Sequence, residues 1–104
     1  MQAVLNKIEN TAGSINYFLS KLENADNIAK NEIENILVNI GKTAVPELVD
    51  QLQVVQGVKR GVVAMTLIRI GDESVEYLRK AAKTNKDFEW VARYLITEIN
   101  GQIA

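Results

Sequence analysis

The stretch that decides the fold lies at 33–41, where the sequence reads IENILVNIG. It recurs 30 residues later, at 63–71, as VAMTLIRIG, and a third copy at 92–101 reads ARYLITEING, with one additional residue before its glycine. In each copy a set of positions at i, i+3, i+4 and i+7, apolar except at Thr66, has the spacing of one helix face and not the alternation of a strand. The three copies predict three helices, each followed by a glycine suited to a left-handed C-cap.

A second repeating segment precedes each of these helices. Its three copies read TAGSINYFLSKL at 11–22, GKTAVPELVDQL at 41–52 and GDESVEYLRKAA at 71–82. Small and apolar residues stay in register between the copies, and Pro46 falls where the first turn of a helix is expected, because its missing N–H is not needed there. Each unit therefore reads as a short helix, a turn and a longer helix.

This repetition predicts an all-α protein, built as an α-α superhelix (solenoid) of about three helical hairpins plus an N-terminal helix. An ordinary helical bundle would show the same helical periodicity, but it would not require the same pattern to recur in register. We expect a single domain over residues 1–104. Its parts are an N-terminal helix at 1–10 and repeats at approximately 11–40, 41–70 and 71–100.

The middle unit carries a resemblance to a known family. Its segments at 45–52 and 60–71 resemble the two halves of a HEAT repeat, and the short unit is similar to the HEAT-like repeats first associated with phycobilisome lyases. The resemblance implies a protein–protein interaction or scaffold module whose second helices line the concave face. It also implies an alternative, a non-catalytic or accessory subunit in bilin lyase-type chemistry.

The composition excludes several kinds of site. The chain has no Cys and no His, so it has no disulfide, no Cys/His metal site, no cysteine nucleophile and no histidine acid–base step of its own. Its net charge of −1 provides no global field that would recruit nucleic acid or an anionic membrane. No apolar run approaches the ~20 residues of a membrane span. We expect a cytoplasmic protein that is not an enzyme and that takes no cofactor, no metal and no membrane partner.

Four apolar residues are predicted on the outward stripe of the second helices. They are Met65, Ile68, Trp90 and Tyr94. Aromatic residues and Met are enriched in the cores of interfaces, so this stripe is a candidate binding face for another protein. The alternative is that these residues are core, with Trp90 packed against Gly61 of the preceding unit.

Charged residues give weaker indications. The second half of the chain has an excess of basic residues, but acidic residues are interspersed and Glu76 and Lys80 have i,i+4 spacing, which favours a solvated face over a nucleic-acid site. Acidic clusters at 26–34 and 72–76 lie at helix starts, where they suit the helix dipole better than metal chemistry. Self-association into a homo-oligomer through exposed end helices is a further hypothesis.

Overall fold

The computed structural model describes residues 11–103, and this part of the chain contains helices and no strands. The α-helices found there are α1 Thr11–Ser20, α2 Asn27–Ile40, α3 Val45–Leu52, α4 Val58–Ile70, α5 Val75–Thr84 and α6 Glu89–Ile103. The prediction of an all-α protein is confirmed over this range. The helix predicted at 1–10 lies outside the described residues.

The helices pack as consecutive pairs. Helix α1 contacts α2, α3 contacts α4, and α5 contacts α6. Neighbouring pairs meet through like helices, because α2 packs on α4 and α4 on α6, while α1 packs on α3 and α3 on α5. The principal extents of 38 × 31 × 28 Å are similar to one another, so the described body is compact and not elongated.

The core is almost entirely aliphatic, and its positions follow the repeat. Leu37 and Leu67 lie 30 residues apart and are both 0% exposed, and the same holds for Leu48 and Leu78. Burial of such side chains stabilises the fold by ~1.5 to 3 kcal/mol each. Phe88, which is 3% exposed, is the one aromatic residue among the buried positions that the structure describes.

Two glycines end the second helices of the first two pairs. Gly41 has φ 71° and ψ −139°, Gly71 has φ 87° and ψ −139°, and their N–H groups donate to the carbonyls of Leu37 and Leu67. This backbone region is close to exclusive to glycine because a Cβ would be strained there. The predicted glycine C-caps are confirmed at these two positions.

The expectation of a C-cap at Gly101 is wrong, because α6 continues through it to Ile103. Among the described residues, positive φ values occur at Gly41, Gly57 and Gly71. The additional residue before Gly101 shifts this glycine out of the register of the other two, so it does not take their place at the end of the helix.

Residues suited to a helix start lie at the beginning of two of the helices. Asp26 caps α2, where its carboxylate accepts a hydrogen bond from the N–H of Ala29 at 2.8 Å, and Pro46 lies in the first turn of α3. Asp87 has a side chain that suits an N-cap, but it lies inside a 3-10 turn, Lys86–Phe88, that precedes α6. A single capping residue in the sequence does not show how many residues of 3-10 helix come before the α-helix.

Polar side chains join successive pairs at their surface. Arg69 Nη1 on α4 lies 2.7 Å from Glu34 Oε2 on α2, and Lys59 Nζ lies 3.1 Å from Glu23 Oε1. Glu34 occupies the position at which the middle unit has the small Ala64, and the ion pair with Arg69 accommodates the charge. In each pair one partner is exposed and the other half-buried, so each contributes on the order of 1 kcal/mol and adds to the aliphatic packing without replacing it.

Substitution of the glycines tests these backbone conformations. We expect Gly71→Ala to lower the free energy of unfolding by about 1 to 3 kcal/mol, because its positive φ strains any L-residue. In contrast, Gly61→Ala and Gly101→Ala, both in helices with open space around the added Cβ, should raise it by up to about 1 kcal/mol. Equilibrium urea denaturation measures all three, and a Gly101→Ala variant that loses as much stability as Gly71→Ala would contradict the continuous α6.

Candidate functional site

The structure places three of the four predicted anchor residues on the surface. Trp90 is 70% exposed, Tyr94 is 58% exposed and Met65 is 48% exposed. Ile68 is 7% exposed and belongs to the core, so it is not available to a partner. The reason is that α4 lies between α2 and α6 and also contacts α3, so more of its circumference is covered than the periodicity indicated.

Trp90 and Tyr94 occupy one face of α6. They are four residues apart, which places them about one helical turn from each other on the same side. The buried residues Val91, Leu95 and Ile99 of the same helix have the complementary spacing and face the core. The aromatic pair is therefore held at the surface by a helix that is anchored along its opposite side.

The interpretation of Trp90 as a core residue packed on Gly61 does not hold. Apart from its chain neighbours and the backbone of its own helix, no described heavy atom lies within 4 Å of the position that a Cβ on Gly61 would take. Together with the 70% exposure of Trp90, this leaves Gly61 as an open notch on α4 and Trp90 as a surface side chain.

A shallow depression between α2 and α4 continues this surface. Its lining includes Asn27 and Asn31 on α2, and Val58, Gly61 and Met65 on α4. One wall is thus polar and the other apolar. Val58 is 48% exposed and was not among the predicted anchors, although its i, i+3, i+7 spacing with Gly61 and Met65 places it on their stripe.

We define the second-helix face as Val58, Met65, Trp90 and Tyr94. Met65 and Tyr94 occupy equivalent positions in successive units, 29 residues apart, which places them on the same side of the packed helices α4 and α6. The face is apolar at its centre. Charged groups flank it in paired form, as with Arg93 Nη2 and Glu89 Oε1 at 2.7 Å.

Within 11–103, no group of three or more Asp, Glu, His or Cys side chains could hold a metal ion. Every buried side-chain N or O atom of that range has a hydrogen-bond partner. The acidic cluster at 26–34 serves structure instead, with Asp26 as a helix cap and Glu34 paired to Arg69. In the same range, no helix combines the length and the apolar character needed to cross a bilayer.

Comparison with known proteins finds no match for the chain among family models, curated proteins or solved structures. The resemblance to HEAT repeats therefore rests on the repeated residues of the sequence. The structure adds one observation, which is that helices at equivalent positions of successive pairs pack on one another.

Replacement of both aromatic residues tests their surface position. We expect Trp90→Gln with Tyr94→Gln to change the free energy of unfolding by no more than about 0.5 kcal/mol per substitution, because exposed side chains contribute little. Leu95→Ala is the control on the same helix; Leu95 is 1% exposed, and its truncation should cost about 2 to 5 kcal/mol. Urea denaturation followed by circular dichroism measures the stability of all variants. Tryptophan fluorescence is unsuitable, because Trp90 is the sole tryptophan and the double variant lacks it. A double variant as unstable as Leu95→Ala would show that the aromatic residues are core.

Proposed function

We propose that this chain is a protein–protein interaction module of the HEAT-repeat type. In this proposal the three helix pairs are HEAT-like repeats that form a short solenoid, and a partner protein binds across the second helices. Met65, Trp90 and Tyr94 are the anchors, and Val58 extends the same face. The module binds by surface complementarity, without chemistry of its own, and the cytoplasm is the compartment in which we expect the partner.

The packing order supports the solenoid part of the proposal. A solenoid stacks equivalent elements of successive repeats, so each repeat contacts its neighbours through like helices. Helices α2, α4 and α6 have this relationship, and so do α1, α3 and α5. Gly41 and Gly71 give the chain the same backbone geometry at both junctions between pairs. Three pairs are too few for the stack to become long, which accounts for the similar extents in all directions.

The observation that carries the binding proposal is the exposure of Trp90 and Tyr94 on one turn of α6. A tryptophan and a tyrosine each offer a large apolar area with few rotatable bonds, and their polar atoms still find hydrogen bonds at an interface. Trp and Tyr are also enriched among the residues that carry most of the binding energy of interfaces. Exposed apolar groups that lie together, and not singly, indicate an interaction site.

The neighbouring residues add to this face in two ways. Met65 has a flexible, polarisable side chain that adapts to the shape of a partner. Gly61 leaves an open notch between Val58 and Met65, where a side chain of the partner can approach the backbone of α4. Because both helices are packed into the core, the face is held in place before binding, which lowers the entropy cost of association.

Quantitative capture of binding proteins from the source cells tests the proposal. The bait is the full chain, and we expect Trp90→Gln with Tyr94→Gln to reduce recovery of the specific partner by ~10-fold or more, as loss of central aromatic anchors does. Purified partner then allows the dissociation constants to be compared directly.

The control for this experiment is Tyr17→Gln. Tyr17 is 58% exposed, like Tyr94, but it lies on α1, a first helix. It should leave recovery of the partner unchanged. Recovery that persists in the double variant, or that falls equally in the Tyr17 variant, would contradict a binding site on the second-helix face.

A further inference from the structure

A groove runs between α5 and α6 on the side of the last pair that faces away from α3 and α4. Its floor is formed by Ala82, Ala92 and Ile96, and its rim carries Arg79, Lys83 and Arg93. The groove encloses about 330 Å³ and is open to solvent. Ala82 and Ile96 are only partly buried.

The equivalent positions in the preceding pair show which elements cover such a groove. Leu52 and Leu67 are the counterparts of Ala82 and Ile96, at steps of 30 and 29 residues, and they are 1% and 0% exposed. There, α5 and α6 pack over α3 and α4. The groove is therefore the outer equivalent of a surface that, one pair earlier, is covered by helices. Because Ala82 replaces a leucine, the floor is also recessed.

The rim of the groove differs in charge from the equivalent positions of the preceding pair. Where the last pair has Arg79 and Arg93, the preceding pair has the apolar Val49 and Ala64. Lys83 is a third cation on the rim, and Glu89 is the one acid among the lining residues. Glu89 is already paired with Arg93 at 2.7 Å. Neither Arg79 nor Lys83 has an ion pair with any residue in the described part of the chain.

We propose that this groove binds an acidic amphipathic helix of a partner protein. The apolar stripe of that helix lies on Ala82, Ala92 and Ile96, and carboxylates along its flank pair with Arg79 and Lys83. A helix whose apolar face fills a groove is a common mode of recognition. Charges of either sign would keep the rim solvated. Because the rim has more cations than acids, it favours an acidic partner.

This groove is separate from the second-helix face. On α6, Ile96 and Arg93 face the groove, whereas Trp90 and Tyr94 lie on the neighbouring side of the helix. The two surfaces share one helix but no residue. The proposal therefore goes beyond the function proposed above, and each can fail without the other.

A pair of designed peptides tests the proposal against the full chain. The first peptide is a helix with Leu and Ala at i, i+3, i+4 and i+7 and Glu on both flanks, and the second has Lys in place of every Glu. Fluorescence anisotropy should show that the acidic peptide binds ~10-fold or more tightly than the basic one, and that raised salt weakens this binding. Absence of binding, or equal binding of the two peptides, would overturn the proposal.

Charge-reversal variants assign the site. Arg79→Glu with Lys83→Glu should weaken binding of the acidic peptide by ~10-fold or more, and circular dichroism checks that the variant is folded. Lys21→Glu with Lys42→Glu is the matched control, since it changes the net charge equally at residues that do not line the groove. Loss of binding in the control, or in Trp90→Gln with Tyr94→Gln, would place the peptide elsewhere and refute the proposal.

A second copy of this chain is the competing occupant. Sedimentation velocity over a concentration series tests whether a second copy binds in the groove. We expect the chain to stay monomeric, with a mass that does not rise with concentration. A dimer that Ala82→Glu dissociates would overturn the proposal in favour of self-association.

Discussion

The fold depends on the backbone turn that Gly41 and Gly71 provide between helix pairs. At each of these residues the N–H closes the preceding helix and the chain enters a 3-10 turn that leads directly into the next first helix. Because both turns have nearly the same φ and ψ, each new pair leaves the previous one in the same direction. Leu37 and Leu67 then arrive at equivalent places in the core. The turn also requires a small residue at its end, and Ser74 meets this need while its hydroxyl donates to the carbonyl of Leu67 at 2.8 Å.

Much of this could be predicted from the sequence, since a repeated pattern reports the same local environment several times. The apolar spacing located the helices, and the two glycines in register located the turns. The sequence was misleading where one copy departs from the others, as at Gly101, because the end of a helix depends on the register of its last residues and not on its apolar face alone. Ile68 shows a second reason. Periodicity fixes the direction of a side chain around its helix, but the covered arc depends on how many neighbours the helix has, and α4 lies between two others.

The position of Trp90 required the structure for a different reason. Gly61 occupies the equivalent position in the preceding unit, and its lack of a side chain allows two arrangements. The side chain of Trp90 could fill the space beside Gly61, or that space could stay open. The sequence contains both residues, but the distance between α4 and α6 and the rotamer of Trp90 decide between the two. In the structure Gly61 has open space around it and Trp90 extends into solvent. Candidate binding residues in repeats of this kind can therefore be enumerated from the sequence, whereas their exposure is set by packing between units.

Helix α6 has a different relationship to its surroundings from α4, and this explains why both candidate surfaces meet on it. An inner second helix uses one side for its own first helix and two flanks for the second helices of its neighbours, as α4 does. In α6, Val91 and Leu95 pack inward, and the flank that is covered in α4 is occupied by the groove instead. Arg93 stands on the boundary between the groove and the aromatic residues, held by Glu89 at 2.7 Å. Arg93 thus belongs to the rim of the groove and stands beside the aromatic residues, which is why one helix carries both surfaces although they share no residue.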